Sequence, residues 1–137
     1  MKATINGLRI AVVALGCYWL LLFIGTHISP NRLLSRLMVN DKLMHGFAFF
    51  GLAFLIAWAV PTSMARLYRN VIVAAIIAVV YAALDELLQI PVGRTADWLD
   101  LVADCVGICA GLGFYCLVRA AILRSGLTIF QDPAESK

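Results

Sequence analysis

Four long apolar runs constrain the fold of this chain more than any other feature of its sequence. They cover approximately Ile10 to Ile28, Leu43 to Val60, Val71 to Ile90 and Trp98 to Leu123. Each run is close to the roughly 20 residues that a helix needs to cross about 30 Å of hydrocarbon. The chain is 63% hydrophobic and 14% charged, whereas soluble domains are about 45–50% apolar and about 25% charged. The sequence therefore predicts an all-α polytopic membrane protein with four transmembrane helices.

The connections between the runs are short, so neighbouring helices should form an antiparallel bundle. Residues 1–123 are expected to make one four-helix domain, followed by a polar C-terminal tail over residues 124–137. Seven of the eleven Lys and Arg residues lie at the two termini and in the second loop. Because positive charge is retained on the cytoplasmic side, both termini are predicted to be cytoplasmic.

The basic residues and the cysteines indicate no further activity. The net charge of +3 comes from residues scattered at the edges of the apolar runs, where they serve as topology signals and interfacial anchors. Nucleic-acid binding is therefore not expected. The four cysteines, Cys17, Cys105, Cys109 and Cys116, all lie inside apolar segments. They are interpreted as packing residues rather than as a disulfide framework or a metal site.

Acidic residues are concentrated in one short part of the chain. Five of the eight Asp and Glu residues lie between positions 85 and 104, where the third span ends and the fourth begins. The second span opens with Asp41, Lys42 and His45. Because neighbouring spans are antiparallel, these three segments meet at the same side of the membrane, and the predicted orientation makes it the outer side. His27, near the end of the first span, is interpreted as an interfacial residue.

The fourth span carries an acidic and glycine-rich stripe. Asp97, Asp100, Asp104, Gly107 and Gly111 are spaced so that they fit an arc of roughly 80° on a helix. Gly107 and Gly111 form a GxxxG step, which allows another helix backbone to approach closely. Carboxylates facing lipid would be costly, so the stripe should face other helices. Asp97 also suits an N-cap and Asp100 the first helical turn.

The third span ends with a second set of polar side chains. Asp85 and Gln89 are one turn apart, and Glu86 is turned about 100° from Asp85. In the whole region, six acidic residues accompany only Lys42 and Arg94. The excess negative charge indicates protonated carboxylates, access to water, or a bound cation such as a metal ion or a cationic group of a ligand.

Three short motifs in this order resemble the VanZ-like family of small bacterial membrane proteins. The motifs are DKLMH at 41–45, DELLQ at 85–89 and GRTADWLDLVADCVGICAG at 93–111, within a core of residues 41–113. The family is named after a component associated with teicoplanin resistance. The resemblance implies a location in the bacterial inner membrane and a role in the cell envelope or in antibiotic resistance. The positions that match family positions are Asp41, Lys42, His45, Asp85, Glu86, Gln89, Arg94, Asp100 and Gly107.

Two positions depart from the resemblance, and both departures add negative charge. Asp104 stands where many relatives have Asn, and Asp97 stands where many have Ser. The predicted polar site therefore contains Asp104 in addition to the matching residues, with Gly107 and Gly111 as packing positions.

Ligand binding at the outer leaflet is the first functional hypothesis. The ligand would be an envelope lipid, a lipid-linked cell-wall intermediate or an amphipathic antibiotic of the glycopeptide type, with Lys42 and Arg94 gripping an anionic group. A membrane-embedded enzyme is the second, with His45 and either Asp85 or Glu86 as an acid/base pair, or with a divalent ion. A proton or ion pathway and a structural assembly role stay open, as does a homo-oligomer. No resident cofactor is expected beyond that alternative of a divalent cation.

Overall fold

The computed structural model describes residues 4–5, 8–27, 41–60, 67–92 and 97–125. It contains four long helices: α1 (Ile10–His27), α2 (Asp41–Ala59), α3 (Leu67–Gln89) and α4 (Trp98–Arg124). A short 3-10 helix, Ile90–Val92, extends α3 by one turn. All four α-helices are long and apolar enough to cross a membrane. The predicted all-α fold with four membrane-spanning helices is confirmed, and the predicted polar tail lies outside the described residues from position 126 onward.

A small hairpin precedes the first helix and was not predicted from the sequence. Strands β1 (Thr4–Ile5) and β2 (Leu8–Arg9) pair antiparallel immediately before α1. The hairpin is two residues deep and leaves the four-helix architecture unchanged.

The bundle has large apolar side chains on its outside and polar ones inside. Leu21, Phe47 and Leu117 are among the exposed apolar side chains, whereas Asp85 and Asp104 are fully buried. This arrangement suits a lipid environment, because hydrocarbon solvates apolar surface and excludes charge. The interior is therefore where the chemistry of this protein is concentrated.

The closest helix contact joins α2 and α4, which are not neighbours in the sequence and run parallel to each other. A Cβ atom at Gly107 would collide with the backbone carbonyl of Gly46, and one at Gly111 would collide with that of Phe50. Only glycine at these two positions permits the observed approach. Gly107 and Gly111 thus bring the start of α4, with its carboxylates, against the start of α2.

Helix α1 is attached to this pair by aromatic residues. The Tyr18 hydroxyl donates a hydrogen bond of 2.8 Å to the carbonyl of Ala48, and its ring lies against Gly51. The Trp19 ring meets Tyr81 of α3 edge to face, with centroids 5.0 Å apart. These contacts hold the middle of α1 close to α2 and α3.

A buried hydrogen-bond chain joins three helices at the end of the bundle where α2 and α4 finish. The Asn70 amide donates to the carbonyl of Ala57 and to the hydroxyl of Tyr115, both at 2.6 Å. Arg119 donates to the same hydroxyl at 2.7 Å and is only 5% exposed. Arg119 is one of the Lys and Arg residues that were interpreted from the sequence as topology signals at the edges of the apolar runs. Its side chain instead lies inside the bundle. Asn70, Tyr115 and Arg119 are called the inner chain below.

Candidate functional site

The other end of the bundle, where α1 and α3 finish and α2 and α4 begin, contains the acidic residues and is called the polar end. Antiparallel connection brings these four helix ends to one level, as the sequence predicted. Asp85, Glu86, Asp100 and Asp104 are all buried there, and so is His45. The site is therefore built by all four helices rather than by one loop.

Neutral donors surround Asp85. Thr26 of α1 donates to its Oδ1 at 3.0 Å, and the Gln89 amide donates to its Oδ2 at 3.2 Å. The Tyr81 hydroxyl lies 3.4 Å from Oδ1, and His27 Nδ1 lies 3.9 Å from the same atom. Hydrogen bonds from α1 and α3 thus compensate this carboxylate without a full opposite charge.

Three buried titratable groups meet at the centre of the polar end. Nδ1 of His45 lies 3.1 Å from Oδ1 of Asp104. Oε2 of Glu86 accepts a hydrogen bond of 3.1 Å from the backbone N–H of Asp97. One imidazole nitrogen of His45 and one carboxylate oxygen from each of Glu86 and Asp104 lie within 4.8 Å of one another. These three residues are called the central trio.

Lys42 holds two carboxylates at the entrance to α4. Its Nζ lies 2.9 Å from Oδ1 of Asp100 and 3.0 Å from Oδ2 of Asp97. The predicted N-cap is confirmed, since Oδ1 of Asp97 accepts from the N–H of Leu99 at 2.9 Å. That hydrogen bond, together with the Lys42 ammonium, lowers the pKa of the Asp97 carboxyl below its usual value. The charge of Lys42 is therefore already directed to two aspartates.

A cavity opens onto the polar end between α1 and α2. Its volume is about 220 Å³. Its lining combines apolar residues, including Leu21 and Ala48, with the polar residues Thr26, Asp41 and His45. A wider groove of about 360 Å³ follows the α2–α4 contact on another face of α2 and has an almost entirely apolar lining. Of the two, the cavity gives access to buried polar groups.

The structure brings together every site residue of the sequence analysis that it describes. Arg94, which the sequence also placed in the site, lies outside the described residues. The acid/base pairing suggested for His45 differs, because its hydrogen-bonded carboxylate belongs to Asp104 rather than to Asp85 or Glu86. Sequence reasoning missed Thr26 and His27 as members of the site. Extending the same antiparallel-crossing argument to the end of the first span would have identified them.

Comparison with known proteins agrees with the arrangement of motifs. No curated protein and no solved structure matches the chain. The family model described as VanZ/LLP1 matches residues 11–119, which is most of the chain and includes all four helices except the first residue of α1 and the end of α4. Together with the four membrane-spanning helices, this match shows a multi-pass membrane protein, and the chain belongs to the VanZ/LLP1 family.

Proposed function

We propose that this protein binds the polar head of an amphipathic envelope lipid in the cavity between α1 and α2. The cavity is amphipathic, because its lining combines the apolar Leu21 and Ala48 with the polar Thr26, Asp41 and His45. This single observation carries the proposal, because a polar head needs polar contacts and the chain attached to it needs apolar ones. In the proposed topology both termini are cytoplasmic, the membrane is the bacterial inner membrane, and the cavity faces its outer leaflet.

The size of the cavity supports binding of a head group rather than of a whole lipid. Its volume of about 220 Å³ is below the roughly 300–1,000 Å³ of pockets that enclose drug-sized molecules. It has room for a small polar group and the first carbons attached to it. The remaining apolar chain would lie along the lipid-facing surface of the bundle.

The charges of the polar end support a head group that carries an amine. Lys42 already contacts Asp97 and Asp100 at about 3 Å, so its ammonium has little unbalanced charge for a phosphate. Asp41 lines the cavity, and a carboxylate there favours an ammonium or another hydrogen-bond donor. An amine-bearing head group therefore fits better than one that is held mainly through a phosphate or carboxylate.

Filling the cavity is the sharpest test. Gly25 lines the cavity, and Gly16 lies earlier on the same helix. A Cβ atom added at either glycine would meet nothing within 4 Å. We expect Gly25→Leu to fill the cavity without a backbone clash, and Gly16→Leu to serve as the matched control. Native mass spectrometry of the detergent-extracted protein should detect lipid on the wild type and on Gly16→Leu, but not on Gly25→Leu.

Defined ligands then identify the head group. Nanodiscs of phosphatidylglycerol would be doped with phosphatidylethanolamine, with a lipid-linked cell-wall intermediate or with a glycopeptide antibiotic. Asp41→Asn is expected to weaken binding of the amine-bearing lipid by about 10-fold or more, as loss of a charged hydrogen bond implies, whereas Asp132→Asn in the tail should not. Equal retention of lipid by wild type, Gly25→Leu and Asp41→Asn would refute the proposal.

A further inference from the structure

We propose that His45, Glu86 and Asp104, the central trio, bind one divalent transition-metal ion of the Zn²⁺ class. The three side chains come from three different helices, α2, α3 and α4, and are 5%, 6% and 0% exposed. Their nearest ligand atoms lie within 4.8 Å of one another. The fold therefore already brings three possible ligand atoms close together.

Two buried oxygens of the trio have no hydrogen-bond partner among the described residues. They are Oε1 of Glu86 and Oδ2 of Asp104. Leaving a carboxylate oxygen unpartnered away from water is costly, and the cost is greater in the low-dielectric interior of a membrane protein. By contrast, both oxygens of Asp85 accept hydrogen bonds from neutral donors. A single divalent cation bound by the trio would compensate both of the unpartnered oxygens of Glu86 and Asp104 at once.

The spacing of His45 and Asp104 suits a metal ion. Two ligands bound at about 2.0–2.1 Å in tetrahedral geometry are about 3.4 Å apart. Nδ1 of His45 and Oδ1 of Asp104 are 3.1 Å apart, which differs from that separation by only a few tenths of an ångström. An ion placed between them would replace the hydrogen bond that now joins them.

The donor set and the charge select the type of ion. A neutral imidazole and two carboxylates carry two negative charges, which one divalent ion neutralises. Imidazole favours Zn²⁺ and its transition-metal neighbours, whereas Mg²⁺ and Ca²⁺ prefer oxygen ligands only. Three protein ligands also leave one tetrahedral position open for water or a ligand atom.

A second group of possible ligands shares His45 but suits an ion less well. Asp41 and Asp100 also lie within 4.8 Å of His45. However, Asp100 is 2.9 Å from the Lys42 ammonium, which would repel a metal ion, and Asp41 is exposed. These residues therefore supply matched control substitutions at the same end of the bundle.

The test measures metal on the full-length protein in detergent, without added lipid. The protein is stripped with a chelator, reloaded with Zn²⁺, and examined by elemental analysis, calorimetry and thermal unfolding. We expect one Zn²⁺ per chain, an increase in the unfolding temperature, and much weaker effects of Mg²⁺ and Ca²⁺. Co²⁺ in the same site should give the visible absorption of a tetrahedral complex.

Isosteric variants locate the ion. Glu86→Gln and Asp104→Asn are each expected to weaken Zn²⁺ binding by at least about 100-fold, more than loss of an outer-shell partner costs. Asp41→Asn and Asp100→Asn should change it less than about 3-fold. Circular dichroism and gel filtration report folding, so that either trio variant can carry the test if the other fails to fold. Absence of stoichiometric Zn²⁺, or similar weakening in all four variants, would overturn the assignment.

The ion site adds a cation to the site of the proposed function but does not depend on lipid binding. Lipid retention by the chelator-treated protein tests the proposed function, and Zn²⁺ binding by the delipidated protein tests the ion site. Either can therefore fail without the other.

Discussion

The two buried polar groups of this bundle lie at opposite ends and are built on different principles. In the inner chain, an amide, a phenol and a guanidinium are joined by hydrogen bonds of 2.6–2.7 Å, and Asn70 links α3 to both α2 and α4. Oδ1 of Asn70 has no hydrogen-bond partner among the described residues. At the polar end, carboxylates predominate, and two of their oxygens likewise have no partner among those residues. Both groups connect helices, but the polar end also concentrates negative charge.

We interpret this difference as one between a structural use of buried polar groups in the inner chain and the proposed binding role of the polar end. A buried polar group can stabilise packing when its hydrogen bonds are made between helices. Carboxylates placed close together repel one another, which costs stability. Such clusters are therefore typical of sites that bind a ligand, a proton or an ion. We therefore expect substitutions in the inner chain to reduce stability, and substitutions in the central trio to reduce binding while the fold is retained.

The largest effect on stability is expected between the two groups, where α2 and α4 touch. A Cβ atom at Gly107 would collide with the carbonyl of Gly46. Gly107→Ala must therefore push the two helices apart, at a cost of about 3 kcal/mol in the free energy of unfolding. Equilibrium unfolding by SDS in mixed micelles would measure the change.

The same helix supplies the control for this prediction. At Gly113, an added Cβ atom would meet nothing within 4 Å. Gly113→Ala should be neutral or slightly stabilising, because alanine has the higher helix propensity. Similar losses in both variants would mean that the α2–α4 approach does not depend on the glycine surface.

A smaller loss of stability is expected for Tyr115→Phe in the inner chain. The substitution removes the oxygen that accepts hydrogen bonds from both Asn70 and Arg119. Side-chain hydrogen bonds within membrane bundles contribute on average about 0.6 kcal/mol, so the loss of two should cost about 1 kcal/mol. Tyr68→Phe at the exposed start of α3 is the control.

Glu86→Gln tests the polar end in the same way and is expected to affect stability less than Tyr115→Phe. In the metal-free protein it removes one of several neighbouring negative charges and preserves the acceptor for the Asp97 N–H, so the free energy of unfolding should change little. If Glu86→Gln destabilised the metal-free protein more than Tyr115→Phe, the division into a structural and a functional end would be wrong.

The smallest effect concerns the cap of α4. The pKa of Asp97 is lowered by the Leu99 N–H and by Lys42, so its contribution to stability is present above the unfolded pKa of about 3.9. That contribution is lost as the pH falls through the lower pKa of the folded state. Thermal unfolding should show Asp97→Ala slightly less stable than wild type at neutral pH, with the difference disappearing in strong acid. A constant difference at every pH would contradict this origin.

Much of the fold followed from the length and order of the apolar runs. Helix ends were predicted within a few residues because prolines, charges and the Asp97 cap interrupt hydrophobicity. The parallel contact of α2 with α4 could not be derived in the same way. A GxxxG step indicates that some helix comes close, but it does not specify which one.

The sequence predicted which residues lie at the polar end, but not which side chains contact one another there. Antiparallel crossings brought Asp41, Asp85 and Asp104 to one level, yet the partner of each side chain depends on helix rotation, which the sequence does not determine. The participation of Arg119 in a buried chain was hidden for a different reason. A positive charge near a helix end serves topology in most membrane proteins, and only the packing distinguishes the exception.

The span of chain between the paired groups has a consequence for biosynthesis. Thr26 meets Asp85, and His45 meets Asp104, across 59 positions in each case. A nascent chain that ends before α4 would present its imidazole to the bilayer without the carboxylate that accompanies it in the finished protein. The central trio can therefore form only after the ribosome has delivered α4, whereas the contact between Thr26 and Asp85 needs only the first three helices.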